Sequence, residues 1–113
     1  MYYFRLALER ASELWKSGCQ VVVLDAAVLL EAGWQASCHE VWVCLVPRQE
    51  AVQRIMDRDK KTEQEAERRL DNQMSNSERV AAASTVISTL WSEDITQSQL
   101  SVAVQRIKHE LGL

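Results

Sequence analysis

The sequence predicts an α/β layered fold built on a parallel sheet. Three observations carry that reading. Short, unbroken, β-branched runs recur along the chain, at VVVLD (Val21–Asp25), at VWVCLV (Val41–Val46) and again from Thr85 to Leu90. Stretches with apolar residues at helical spacing lie between and around them. Only three glycines and one proline punctuate the chain, so connections are few and tight. Unbroken apolar runs fit strands covered on both faces, and their alternation with helices implies a parallel sheet.

The first element is a helix from about Tyr2 to Ser17. Phe4, Ala7, Leu8, Ala11, Leu14 and Trp15 mark its stripe, and Gly18 supplies a left-handed stop. The strand Val21–Asp25 follows, then the strand Val41–Val46. Pro47 opens the next helix as its first residue, with Ala51, Val52, Ile55 and Met56 as the buried stripe. Residues 57–79 are almost wholly polar. Thr62 with Glu65 and Ser75 with Glu78 have capping-box spacing, which predicts helices over Glu63–Met74 and Asn76–Ala83. The first has one apolar residue per turn, Ala66, Leu70 and Met74. A stripe so narrow predicts a helix held lightly or projecting, and residues 57–79 read as a lid. After the third strand, Thr96 with Gln99 predicts the start of the last helix, whose stripe is Leu100, Ala103, Val104, Ile107 and Leu111.

Composition narrows the function classes. A chain of 113 residues is one small domain at most. With 47% hydrophobic and 26% charged residues it is no disordered segment. A net charge of −3 argues against a general nucleic-acid binder. No apolar run reaches the ~18 residues of a membrane span. Cys19, Cys38 and Cys44 lack paired spacing, which favours a reducing compartment and no structural metal. Cys44, inside an apolar run, reads as a small buried hydrophobe. Trp15, Trp34, Trp42 and Trp91 read as packing residues, and His109 as a complement to a helix dipole.

Two groups of residues could carry chemistry. Asp25 ends an apolar run, and ligands of open α/β sheets bind beyond the carboxyl ends of strands. There it could reach Mg²⁺ through water, or it could simply cap a turn. Arg54, Arg58, Lys60, Lys61, Arg68 and Arg69 cluster in and beside the polar segment. Guanidinium forks bind phosphate oxygens, but Glu63, Glu65 and Glu67 could instead make this a solvated, ion-paired face.

Three stretches carry a family likeness. VVVLDAAVLLEAGW (Val21–Trp34), EVWVCLVPRQEAVQRIMDRD (Glu40–Asp59) and the A-x-x-R-x-x-x-Q pattern at Ala66, Arg69 and Gln73 occur in that order. Together they resemble the C-terminal part of dephospho-CoA kinases. Ala27, where stand-alone kinases usually have proline, is similar to the kinase domain of animal bifunctional coenzyme A synthase. The resemblance implies a partial P-loop-kinase-like parallel sheet with flanking helices and a helical lid over residues 57–79. It implies transfer of the γ-phosphoryl of ATP to the 3′-hydroxyl of dephospho-CoA, with Mg²⁺, in the mitochondrion or cytoplasm. By the same likeness Asp25 and Glu31 lie beside the substrate, Arg58 at the entrance to the lid, and Arg69 and Gln73 on the lid helix. The P-loop strand and helix of the family have no counterpart here: Gly18, Gly33 and Gly112 are isolated, and none precedes a Lys-Ser/Thr pair. The expectation is therefore a fragment, inactive alone, that associates with the rest of an enzyme. The alternatives are a non-catalytic binding or regulatory module from the same domain, or an unrelated helical interaction domain.

Overall fold

The structure, a computed structural model, describes residues 2–113. Its elements in chain order are α1 (Tyr2–Lys16), a 3₁₀ turn (Trp34–Ser37), β1 (Trp42–Leu45), α2 (Arg48–Asp59), α3 (Glu63–Asp71), α4 (Asn76–Ala82), β2 (Thr85–Ser88) and α5 (Glu93–Leu111). The chain divides into two compact units, one running up to Ser37 and the other Cys38–Leu113.

In the first unit, α1 ends as its glycine predicts. Gly18 takes φ 103°. Its N–H donates to Trp15 O, and that of Cys19 donates to Leu14 O, the paired bonds of a Schellman stop. Residues 20–26 then run without strand pairing, and turns over 27–33 lead into the 3₁₀ turn. Phe4 stacks on Trp34 with ring centroids 5.0 Å apart. Val21–Asp25 is not a strand, contrary to its composition. Val21 and Val23 are 52% and 80% exposed, and among the described residues the sheet contains only β1 and β2. An apolar run becomes a strand only where a neighbour takes its backbone groups, and β propensity does not supply one.

The second unit holds the α/β layer. β1 and β2 pair in parallel, Trp42 opposite Thr85 and Leu45 opposite Ser88. Both strands fall within the predicted runs. α4 packs against β1 and α5 against β2. The predicted covering of both faces is only half present. Register partners share a face, yet Val43 is buried beside exposed Val86, and Ile87 is buried beside exposed Cys44. Each face is thus covered over one strand. Cys44 is accordingly exposed, where the sequence predicts a buried hydrophobe.

The helices show why capping chemistry is informative. Thr62 Oγ1 accepts from Glu65 N–H and starts α3; Ser75 and Glu78 form the complete reciprocal box that starts α4. Pro47 stands one position before α2, whose first residue is Arg48. Two boundaries depart from expectation. α3 stops at Asp71, not Met74, because Asn72 caps it and Ser75 begins a new helix three residues on. α5 starts at Glu93 behind Ser92, not at Thr96. Glu93 and Asp94 complement the helix dipole in that first turn. Gln99 is therefore free for another task. Its amide accepts from Ser88 N–H and donates to Ser88 O, both at 2.9 Å, standing in for a neighbouring strand on β2.

The narrow stripe of α3 packs on α2. Ala66 has no exposed surface and packs against Val52 and Ile55 of α2, with Met56 and Leu70 beside them. A single small residue suffices because it lets two helix backbones approach closely, so contact is gained from proximity and not from side-chain size. Arg48 adds a 2.7 Å bond to Asp71 and a longer one to Glu67 O.

Candidate functional site

The basic residues cluster around the C-terminal half of α2, and α3 returns to meet it. Asp59, the last residue of α2, organises them. Arg58 donates Nε to Asp59 Oδ1 at 2.9 Å and Nη2 to Oδ2 at 3.0 Å. Arg69 of α3 donates Nη1 to the same Oδ2. The hydrogen bonds from Arg58, then from Arg69, hold the Asp59 carboxyl well below its usual range, at about 2. The guanidinium of Arg58 is raised by the same contact. Arg58 remains exposed. Lys60 follows in the left-handed conformation, φ 56°, and turns the chain sharply toward α3.

One helical turn before Arg58 stands Arg54, about 6 Å along the axis. Its Nε reaches Glu50 at 3.0 Å, and its Nη2 donates to Thr89 O at 2.6 Å. That bond ties α2 to the loop leaving β2. Arg54, Thr89, Trp91, Glu93, Thr96 and Gln97 line an open concavity of about 450 Å³. It lies beyond the C-terminal end of β2, the side on which ligands of open parallel sheets bind. Trp91 is 61% exposed there. The sequence shows Arg54 among the basic residues but gives no direct sign of this concavity. A basic residue one turn before Arg58 was the only signal, since the partner loop lies 35 residues away.

Of the other predicted site residues, two belong to the first unit and one to the second. Asp25 and Glu31 belong to the first unit and are exposed. Asp25 does not end a strand. Gln73 is not on the lid helix: it lies in the turn after α3, where its Oε1 accepts from Arg79 at 3.3 Å. Within the second unit, the structure brings together Arg58 and Arg69 through Asp59. Among the described residues no three His, Cys, Asp or Glu side chains gather as metal ligands. Asp25 would need substrate phosphates and water to complete the oxygen shell of Mg²⁺. No described helix is long and apolar enough to cross a membrane.

A second polar cluster lies at the opposite end of the sheet. Arg106 of α5 bonds Glu40 at 2.7 Å, Thr85 at 2.9 Å and Glu110 at 3.0 Å. Trp42 Nε1 also donates to Glu40. These bonds, Arg106 first, hold the Glu40 carboxyl below its usual range. The cluster clasps the entries of both strands to α5 and is structural in character.

The frame is that of an α/β protein with Arg54 bonded just beyond the C-terminal end of β2, and with Arg58 and Arg69 joined by Asp59. Comparison with known proteins makes it specific. The family model described as dephospho-CoA kinase matches residues 5–92. The chain belongs to the dephospho-CoA kinase family. It is 45% identical over 82 residues to a dephospho-CoA kinase of Geobacter sulfurreducens, covering 73% of this chain and 42% of that protein. It is 34% identical over 100 residues to one of Carboxydothermus hydrogenoformans, covering 88% of this chain and 48% of that protein. A rice dephospho-CoA kinase is 28% identical over 99 residues, 88% of this chain and 43% of the relative. The chain therefore spans less than half the length of these relatives.

Proposed function

We propose that this chain supplies the acceptor-side and lid portion of a dephospho-CoA kinase, which phosphorylates the 3′-hydroxyl of dephospho-CoA with ATP. The observation that carries the reading is the family match, because it spans the whole of α2 and α3 and both arginines that Asp59 joins. Phosphoryl transfer is largely positioning and charge neutralisation, which is what paired guanidinium groups offer. Arg58 and Arg69 grip phosphate oxygens in this reading, and residues 57–79 act as the lid. The α2–α3 packing makes the moving body a helix pair rather than one loose helix. The concavity beside Arg54 and Trp91 accepts the flat base of a nucleotide substrate, since a planar guanidinium and an indole flank it. The phosphates of that nucleotide then lie toward Arg58, one turn further along α2. ATP and Mg²⁺ belong to the whole catalytic assembly. The isolated glycines of this chain form no phosphate loop, so transfer requires a Gly-rich loop from elsewhere.

The test has two parts. The purified chain is titrated calorimetrically with dephospho-CoA and then with ATP·Mg²⁺. In parallel, its residues replace the matching segment of the Geobacter sulfurreducens kinase, and transfer to dephospho-CoA is assayed. We expect no transfer by the chain alone and measurable transfer by the chimera, reduced by Arg69→Ala. A folded chimera with no transfer, together with dephospho-CoA binding by the chain, would favour the non-catalytic binding module. A folded chain and chimera that bind neither ligand would overturn both readings.

A further inference from the structure

We propose that Asp59 is a positioning residue, whose carboxylate clasps Arg58 and Arg69 into one paired-guanidinium grip for a polyphosphate chain. The proposal rests on the reading of those arginines as phosphate ligands, and it adds the residue that assembles them. Both arginines bond the same atom, Asp59 Oδ2. Their nitrogens are therefore at most about 6 Å apart, twice an ordinary hydrogen-bond length. Two like charges at that range repel, and the carboxylate offsets the repulsion before any ligand arrives. A guanidinium has five N–H donors. Arg58 spends the Nε–Nη2 edge on Asp59, and Arg69 spends Nη1. Each keeps donors for another acceptor. The low pKa of Asp59 keeps the clasp ionised throughout the neutral range.

The plainer account is that Asp59 merely ties α3 to α2. The molecule contains its own control for that account. Arg48 and Asp71 tie the same two helices at 2.7 Å, and among the described residues Asp71 joins no second arginine. A tie and a clasp then give different results.

The experiment measures binding of tripolyphosphate to the full chain by calorimetry, with thermal melts confirming that each variant is folded. Asp59→Asn is expected to weaken binding about tenfold, the lower end of the effect of removing a residue that orients a ligand-binding group. Asp59→Glu, which restores the carboxylate, is expected to recover most of that loss. Asp71→Asn is expected to leave affinity unchanged. A folded Asp59→Asn protein that binds as tightly as wild type, while Arg58→Ala and Arg69→Ala weaken binding, overturns the role of Asp59 and leaves the arginine reading intact. No binding by the wild-type chain overturns both. If Asp59→Asn does not fold, the Arg58 Nε–Hε resonance of the wild-type chain decides. Its hydrogen-bonded, slowly exchanging state should persist at saturating tripolyphosphate. Its collapse to the free-arginine position would make Asp59 a competitor of phosphate and overturn the proposal.

Discussion

VVVLD and VWVCLV are two apolar runs of similar length and β-branched character, and they end differently. The second becomes β1, paired to β2 through the register Trp42–Thr85 to Leu45–Ser88. The first stays unpaired, with Val23 80% exposed. Nothing within the five residues separates them. The difference lies in what meets the backbone. Val41 O accepts from Ser84 and Thr85, and Leu45 O accepts from Thr89. Glu40, just before β1, is clasped by Arg106. Strand formation here is a property of the pair and its clamps, not of either run.

Three measurements would break or sharpen that comparison. The largest effect belongs to Ile87, 2% exposed on β2. Ile87→Ala should lower stability by about 3 kcal/mol in urea unfolding, within the range of buried Ile truncations. Val23→Ala in the unpaired run should change it by less than about 0.5 kcal/mol. Equal effects would mean that the two runs are structurally equivalent. Next comes Gln99→Ala, which strips Ser88 of both amide contacts and should cost about 1–2 kcal/mol. Hydrogen exchange should show it first at Ser88, and unchanged protection there would mean that Gln99 does not close that edge.

The smallest effect is a pH dependence. The folded-state carboxyl of Glu40 is depressed, chiefly by the bond from Arg106. Its stabilising contribution is therefore present above the ordinary glutamate range and is lost as pH falls through the lowered value. Asp59 behaves likewise, from an ordinary 3.8 down to about 2, so its share fades later in the acid limb. A melting-temperature profile from neutral pH downward should show the decline, and Glu40→Gln should flatten its upper part. An unchanged profile for Glu40→Gln would remove the clamp from the account of β1.

Much of the second unit was legible because its signals are local. The Thr62 and Ser75 caps need only three residues to be recognised, and both start helices where they stand. The spacing at Thr96 and Gln99 looks the same but is not a cap, because Ser92 with Glu93 and Asp94 opens α5 earlier. Gln99 then bonds Ser88 across the layer. The site divides in the same way. The basic residues of α2 and α3 were visible as a charge cluster. Their joining by Asp59, and the concavity that Arg54 forms with the loop after β2, depend on pairs distant in sequence. Asp25 and Glu31, six residues apart in a recognisable stretch, belong to the first unit.

By itself the sequence determined the helices in outline with the caps at Thr62 and Ser75, the apolar runs able to pair, the arginine cluster and the likeness to dephospho-CoA kinases. Each depends on spacings of a few residues, where backbone geometry leaves little choice. Tertiary structure alone decided which run became a strand, which face of each strand was covered, and how α3 seated Ala66 on α2. It also decided which carboxylate joined two arginines. Those outcomes depend on unlike segments meeting in space, and a backbone group or a charge has no preferred partner until the fold presents one.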